Sequence, residues 1–139
     1  MNICMDARGA KLYAGTGIGT YTARLLENII KIDTRNNYRF FWPNDGYDFL
    51  LGRGNISLTL FGEKNKKFWD EVFLPAQVKM NSCDVFHLPQ NGLGLPRPKT
   101  CSYVATVHDL IPLVMPDTCG KSYLDKFLQE MPYILEKCD

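Results

Sequence analysis

The spacing of apolar residues changes repeatedly along the chain and predicts strands alternating with helices. Asn2–Asp6 is a short apolar run ending in a carboxylate, typical of a first strand, and Ala7–Thr16 is predicted to be a long loop. The aromatic run Tyr38–Trp42 and the partly alternating run Ile56–Phe61 predict the second and third strands. Apolar residues at helical spacing predict a helix over Gly17–Ile32: Ile18, Tyr21, Leu25, Ile29 and Ile32.

The second half of the chain continues the alternation. Phe68–Met80 is predicted to be helical with an interruption at Pro75, and Asp84–Leu88 to be the fourth strand. Ser102–Val107 is a continuous β-rich run, which predicts a strand buried on both faces. Glycine- and proline-rich stretches predict loops over 45–55, 91–98 and 113–118. Ser122–Cys138 is predicted to be a helix, kinked at Pro132, with a broad apolar face: Tyr123, Leu124, Phe127, Leu128, Met131, Ile134, Leu135 and Cys138.

This alternation predicts an α/β fold with a mostly parallel sheet and helices on both faces. At the start of the first helix, Thr16 or Thr20 is expected to cap the free N–H groups. Asp139 directly follows a predicted helix, where the alternation would place another strand. We therefore expect residues 1–139 to be a partial or complete N-terminal domain, taken from a longer protein.

Composition and charge narrow the class of protein. The chain has 139 residues, of which 45% are hydrophobic and 22% charged, with a net charge of +1. These values predict one soluble globular domain or a piece of one, and argue against a nucleic-acid partner, which would favour a basic excess. No apolar run is long enough to cross a bilayer, and the start shows no signal-peptide pattern. Peripheral contact with a membrane stays open.

The cysteines and histidines predict neither a disulfide framework nor a metal site. The five cysteines are scattered and form no C-x-x-C pair, so we expect reduced thiols and a cytoplasmic protein. Cys4 and Cys101 are interpreted as small core residues. The pairs Cys83 with His87 and Cys101 with His108 lack a recognised zinc-ligand spacing, so no metal is predicted.

The loop Gly15–Gly19 before the first helix is the first candidate site. Glycines let backbone N–H groups approach a phosphate, and a helix N-terminus adds partial positive charge. The loop does not fit the dinucleotide-binding fingerprint, because about eight residues separate it from Asp6 and its third glycine is misplaced. It also lacks the Gly-Lys-Ser/Thr of a P-loop. Anion binding and a flexible connection without a ligand both remain open.

Polar residues at predicted strand ends are the second set of candidates. His108 and Asp109 follow the Ser102–Val107 strand, and ligands of parallel sheets bind at that edge. Asn91, just past the fourth strand, is placed to reach a ligand, whereas His87 is interpreted as a core histidine. The alternative for His108 is an imidazole satisfied by backbone groups at a strand end. Asp6 is expected to fix the following loop, and the lysines of 64–67 to form a solvated turn.

Five segments together resemble one family, the retaining glycosyltransferases of GT-B fold known as family 4 or "group 1". Ile3–Arg8 resembles its "I-D-A-R" strand, and Gly17–Thr22 its "G-I-G-R-Y" loop. Asp70–Pro75 is similar to its "E-x-x-L-P", and Asp84–Pro89 to its "D-V-F-H-x-P". Ala105–Pro112 is similar to its "V-x-T-V-H-D-L-x-P". Each motif is weak alone, but their order and spacing agree over nearly the whole chain.

The resemblance implies a Rossmann-like domain that forms one wall of a cleft, facing a donor-binding domain that this chain lacks. It implies that Gly17, Ile18 and Gly19 lie against the donor diphosphate or the acceptor. It implies that His108 is catalytic and lies near the donor sugar, with Asp109 and Asn91 among the substrate contacts. Thr20 stands where the family often has arginine, so the contact made by that arginine is in doubt.

The implied reaction transfers a hexosyl group from a nucleotide sugar to a saccharide or lipid-linked acceptor, with retention of configuration. It needs neither metal nor cofactor, since the nucleotide sugar is a co-substrate, and hydrogen-bond donors assist departure of the nucleoside diphosphate. We expect the chain to be inactive alone, and cytoplasmic or peripheral to the inner face of the membrane.

Two alternatives to a glycosyltransferase domain assign the chain to non-catalytic classes of protein. One is a non-catalytic α/β binding or interaction module. The other is a degenerate fragment that self-associates through a sheet edge or face its missing half would cover.

Overall fold

The computed structural model describes residues 1–46, 48–50, 54–62 and 66–139. Its centre is a five-stranded, all-parallel sheet with the strand order β3-β2-β1-β4-β5. The strands are β1 (Asn2–Asp6), β2 (Asn37–Pro43), β3 (Ile56–Phe61), β4 (Val85–Leu88) and β5 (Ser102–Ala105). The sheet confirms the predicted fold class.

Helices occupy two of the four connections between strands, from β1 to β2 and from β3 to β4, and two more follow β5. The helices are α1 (Gly9–Leu12), α2 (Gly17–Ile32), α3 (Lys66–Phe68), α4 (Leu74–Met80), α5 (Ile111–Val114) and α6 (Lys121–Lys137). A π-helical turn, Trp69–Phe73, joins α3 to α4, and single 3₁₀ turns occupy Asp48–Leu50 and Pro116–Thr118. The bounds of β1, β3 and α2 agree with the sequence prediction at both ends.

Neighbouring residues on the central strands point to opposite faces of the sheet, and helices bury both faces. Cys4 and Phe41 belong to a core cluster with residues of α4 and α6. Met5 and Phe40 belong to a second cluster with residues of α2. The near-continuous apolar runs of β1 and β2 are therefore explained by helices on both faces.

The prediction for the last strand was wrong in its position and extent. The strand β5 lies at the edge of the sheet, and its side chains alternate: Tyr103 is fully buried, whereas Val104 is 40% exposed. It ends at Ala105, two residues before the predicted end at Val107. β-branched residues suit a half-buried edge strand as well as a central one, so the composition of this run could not separate the two.

The free edge of β5 is partly covered by the end of the chain. The backbone N–H of Asp139 donates to the carbonyl of Tyr103 at 2.9 Å. The Asp139 carboxylate accepts from the Tyr103 N–H at 2.9 Å and from the Lys99 ammonium at 2.6 Å. These contacts occupy backbone groups that an uncovered edge would present to another strand.

Two predicted loops contain helical turns that the sequence did not indicate. The stretch Ala7–Thr16 contains α1, and the stretch 113–118 overlaps α5 and the 3₁₀ turn Pro116–Thr118. Both α1 and α5 are four residues long, too short for a periodic apolar pattern to be visible. Within the predicted loop 45–55, residues 47 and 51–53 lie outside the described residues, as do 64 and 65 of the lysine-rich stretch.

At the predicted interruption near Pro75 the helix changes type: the π-helical turn Trp69–Phe73 gives way to α4, and Pro75 stands in the first turn of α4. The backbone stays helical through Phe73 and Leu74. The apolar face of α6 is also narrower than predicted. Phe127, Met131 and Ile134 are buried, whereas Leu128 and Leu135 are 48% and 72% exposed, because one stripe of the helix faces the sheet.

The expectation that all five cysteines are reduced was wrong in this structure. Cys4 on β1 and Cys83 just before β4 form a disulfide, with their Cα atoms 5.8 Å apart. They are 79 residues apart in sequence, and the parallel pairing of β1 with β4 brings them together. Cys101, Cys119 and Cys138 are free. No spacing rule could have identified a pair so widely separated.

We expect Cys83→Ala to lower the free energy of unfolding by roughly 4 kcal/mol, because the disulfide closes a long loop in the unfolded chain. Urea denaturation without reductant measures the loss, and Cys101→Ala, which removes a free thiol, is the control. Alkylation of the unfolded, unreduced wild-type chain should modify three of its five cysteines. Modification of all five would refute the disulfide.

Candidate functional site

The strand order places a topological switch point between β1 and β4. From β1 the chain builds outward to β2 and β3 on one side, and β4 and β5 lie on the other. In open parallel sheets, ligands bind outside the carboxyl ends of the strands at such a point. The segments that leave it are Asp6–Arg8 after β1 and Pro89–Asn91 after β4.

A buried ionic network fills the space directly outside this switch point. Arg8 Nε lies 2.9 Å from the Asp6 carboxylate, and Arg8 Nη2 pairs with Asp70. The amide of Gln90 donates to Asp6 across the two strand ends at 2.9 Å. The Lys126 ammonium closes the network on the second oxygen of Asp70 at 2.9 Å. The polar groups nearest the switch point therefore bind one another.

Burial and ion pairing act in opposite directions on the pKa values of Asp6 and Arg8. Burial raises the pKa of the Asp6 carboxyl, and the positive charge of Arg8 only partly offsets that effect. Burial lowers the pKa of the Arg8 guanidinium, but the charges of Asp6 and Asp70 outweigh it and raise the pKa overall. Arg8 is consequently the cation on which two buried carboxylates depend.

The polypeptide is built closely around the network. A side chain at Gly9 would collide with the Gln90 amide oxygen, which has no hydrogen-bond partner among the described residues. Gly94 has a φ of +95°, and a Cβ there would lie 2.8 Å from the Asp70 carboxyl carbon. The sequence indicated a role for Asp6 but none for Arg8, Asp70, Gln90 and Lys126, because their roles depend on partners distant in sequence.

A second cluster lies beside the network and contains His108. The His108 imidazole donates from Nε2 to the Pro89 carbonyl at 2.8 Å, and its backbone N–H donates to Asn91 Oδ1 at 2.8 Å. Asn91 Nδ2 donates to the Tyr123 hydroxyl at 3.0 Å. The Tyr21 ring packs at a near right angle against His108, with ring centroids 5.0 Å apart. This cluster joins the segments after β4 and β5 to the helices α2 and α6.

The glycine loop reaches the same cluster through α2. Thr16 caps α2 as predicted, since its Oγ1 accepts from the Gly19 N–H at 3.2 Å. Gly19 is buried, and a Cβ there would collide with the Tyr13 carbonyl, so a packing constraint requires this glycine. In the described part of the chain, the N–H groups of Gly17 and Ile18 donate to no protein atom. They remain available to a ligand.

The structure therefore brings some of the predicted site residues into contact and leaves others outside the cluster. Tyr21, one turn after Gly17, packs against His108, so the first turns of α2 lie beside the imidazole. Asn91 is only 2% exposed. The Asp109 carboxylate accepts from the Ile111 N–H at 2.9 Å, a contact that lies within its own turn. Tyr21 and Tyr123 belong to the cluster, but sequence analysis assigned them only to apolar helix faces.

Tyr123 and His87 show how burial acts around the cluster. Burial raises the pKa of Tyr123, the hydrogen bond from Asn91 opposes the shift, and the Asp109 charge adds to it. His87 is half-buried on β4, with Nε2 3.1 Å from the Thr106 hydroxyl, and burial lowers its pKa. This environment agrees with the interpretation of His87 as a core histidine.

A cavity of 1210 Å³ borders the ionic network, and Asp70 and Lys126 are among its lining residues. It runs between the helical segment 66–80 and the first half of α6. Its lining charges are of both signs. His108 and Gly17 do not line it, so it is separate from the cluster around His108.

Neither a metal site nor a membrane span is found in the described ranges 1–46, 48–50, 54–62 and 66–139. No group of three or more His, Cys, Asp or Glu side chains there is arranged to hold a metal ion. Cys83, one of the residues weighed as a zinc ligand, belongs to the disulfide. None of the helices combines the length and the apolar character needed to span a bilayer.

Comparison with known proteins adds no relative to this description. The chain matches no family model, no curated protein and no solved structure. The features of this chain that bear on its function are consequently the five sequence motifs and the geometry of the carboxyl edge.

We expect Arg8→Met to lower the free energy of unfolding by about 3–5 kcal/mol, because it leaves the buried carboxylates of Asp6 and Asp70 without their shared cation. Arg24→Met is the matched control: the Arg24 side chain is 72% exposed, and its ion pair with Glu27 is worth at most about 1 kcal/mol. Urea denaturation measures both variants. Equal stability of the two would contradict the importance of the network.

The lowered pKa of His87 predicts a loss of stability in mild acid. Below about pH 6.5 the unfolded chain protonates His87 while the folded chain resists, so the unfolded state binds more protons and stability falls with pH. His87→Gln lacks this contribution. The stability difference between wild type and variant should therefore shift in favour of the variant as the pH falls from about 7.5 to 5.5. A difference independent of pH would exclude a buried, neutral His87.

Proposed function

We propose that this chain is the N-terminal, acceptor-side domain of a retaining glycosyltransferase of GT-B type, which transfers a hexosyl group from a nucleotide sugar. The observation that carries the proposal is the meeting of three family-like segments at the carboxyl edge of the sheet, where we place the ligand crevice. Gly17–Thr22, the end of Asp84–Pro89 and Ala105–Pro112 contact one another through Tyr21, His108 and Pro89. Segments so far apart in sequence have no local reason to meet.

The free N–H groups at the start of α2 suit the donor diphosphate. Gly17 and Ile18 present backbone donors at the positive end of a sixteen-residue helix, where an anion is stabilised. Donors of this kind also stabilise the negative charge that grows as the nucleoside diphosphate departs. In this scheme Gly19 acts by allowing the close packing of α2 against Tyr13.

His108 borders the same crevice and would face the donor sugar. Its imidazole is held by Pro89 and Tyr21, so its position is fixed before a ligand arrives. Preorganised polar groups contribute more to catalysis than mobile ones because no reorganisation is needed during the reaction. Asp109 and Asn91 flank it, and Asp109 stays a predicted substrate contact.

The proposal assigns only one wall of the cleft to this chain. A saccharide or lipid-linked acceptor would bind here, while a second domain would hold most of the nucleotide. The isolated chain should therefore bind nucleotide sugars weakly and be inactive. A cytoplasmic location, with peripheral contact at the inner face of the membrane, is part of the proposal, and the disulfide between Cys4 and Cys83 weighs against it.

We expect His108→Ala, made in the protein expressed from the complete reading frame, to lower kcat about 10²–10³-fold, as removal of a preorganised polar group in an active site does. Release of the nucleoside diphosphate from a panel of nucleotide sugars measures the activity. Arg24→Met is the control, since the exposed Arg24 side chain pairs with Glu27 on the same helix, and it should retain kcat.

Two outcomes would defeat the proposal. One is a complete reading frame that encodes no second domain and whose product releases no nucleoside diphosphate from any nucleotide sugar. The other is tight binding of a nucleotide sugar to residues 1–139 alone, measured by calorimetry, because the donor would then need no second wall.

A further inference from the structure

The His108 imidazole is tied to the protein through only one of its two nitrogens. Nε2 lies 2.8 Å from the Pro89 carbonyl oxygen. A backbone carbonyl only accepts hydrogen bonds, so Nε2 must carry the hydrogen. In the neutral ring the other nitrogen, Nδ1, then has a lone pair and no hydrogen.

That second nitrogen is the one left for a ligand. Within the described part of the chain, Nδ1 of His108 has no hydrogen-bond partner, and the side chain is only half-buried. The Tyr21 ring meets the imidazole in a T-shaped contact, and the Tyr21 hydroxyl lies 3.3 Å from the Thr106 hydroxyl, so Tyr21 gives Nδ1 no polar partner. In a neutral His108, Nδ1 is therefore an acceptor that no described protein group uses.

Asn91 fixes the backbone at His108 through its side-chain amide. It has a φ of +57°, a left-handed conformation that asparagine tolerates better than most residues, and it is 2% exposed. Oδ1 accepts the backbone N–H of His108, and Nδ2 donates to the Tyr123 hydroxyl. Both ends of its amide are thus bound to the protein, two residues from the carbonyl that fixes the imidazole.

We propose that Asn91 is a positioning residue that keeps His108 with Nε2 protonated, so that Nδ1 accepts a hydrogen bond from a ligand hydroxyl. A phosphate oxygen is the wrong partner for such a nitrogen, because both atoms are acceptors. The carbohydrate hydroxyl is the right chemical class. Anionic groups are left to the N–H donors of Gly17 and Ile18.

The inference has two parts that fail separately. The tautomer of His108 and its dependence on Asn91 are properties of the free chain. The assignment of the bound hydroxyl to a sugar rests on the proposed function. Each part has its own experiment.

The first experiment reads the tautomer directly by long-range ¹H–¹⁵N NMR of the histidine rings in residues 1–139 without ligand. The chain has two histidines, and His87→Gln assigns their signals. We expect the neutral wild-type His108 ring to give the signals of the Nε2–H form. Asn91→Gly keeps the left-handed backbone but removes the amide, and should give a mixture of the two tautomers.

Three further spectra separate positioning from general loss of structure. His87 in the Asn91→Gly chain should be unchanged, because it lies on β4 and is held by Thr106. Asn91→Asp retains an acceptor for the His108 N–H and should restore the wild-type tautomer. Asn28→Ala is the matched control, since Asn28 bonds only within α2. An Nδ1–H tautomer in wild type, or an unaltered His108 in Asn91→Gly, would overturn the inference.

The second experiment compares two substitutions of His108 in the transferase assay of the complete protein. Asparagine places its amide close to the position of Nδ1, whereas glutamine reaches the position of Nε2. We expect His108→Asn to retain about tenfold more kcat/KM than His108→Gln, the worth of one hydrogen bond. The reverse order would show that the ligand contact runs through Nε2 and would overturn the assignment.

If the tautomer is as expected but no nucleotide sugar is cleaved, the proposed function fails and the positioning role of Asn91 stands. If the enzyme is active but the tautomer is Nδ1–H, the positioning role fails and the proposed function stands.

Discussion

The guanidinium of Arg8 lies between the carboxylates of Asp6 and Asp70, and the carboxyl edge of the sheet is arranged around it. Through Asp70 and Lys126 this contact ties the end of β1 to the π-helical turn and to α6. Buried charges of this kind are tolerated only when all of them are paired. Because the network fills the space outside β1, the polar groups left for a ligand lie toward β4 and β5, around His108.

Local patterns predicted the elements whose signals are local. The apolar runs of β1 and β3 and the helical spacing of α2 determine those elements without help from the rest of the chain. The order of the strands is a different kind of information. Nothing within Ser102–Val107 states that this run lies at an edge, since an edge and a central strand differ only in what pairs with them.

Only some residues of the candidate site could be predicted from the sequence, for the same reason. Gly17 and His108 could be found because glycine before a helix and histidine after a strand have chemical meaning in short windows. Asp70 looked like part of an ordinary helix start, and its role appears only when Arg8, 62 residues away, reaches it. The disulfide of Cys4 with Cys83 was missed for the same reason, because only the sheet topology brings β1 next to the residues that precede β4.

In the proposed transferase, the charges near His108 would account for the need of a second wall. Arg8 is committed to two carboxylates, Lys126 to Asp70, and Lys11 pairs with Asp45. Gly17, Ile18 and His108 provide two N–H donors and one ring nitrogen. These groups orient a ligand but add no net positive charge. A doubly charged diphosphate in such surroundings is oriented but weakly held, since a full cation contributes more than a backbone dipole. The affinity must then come from charges outside these residues, and the geometry here would decide which bond of the bound donor is presented for cleavage.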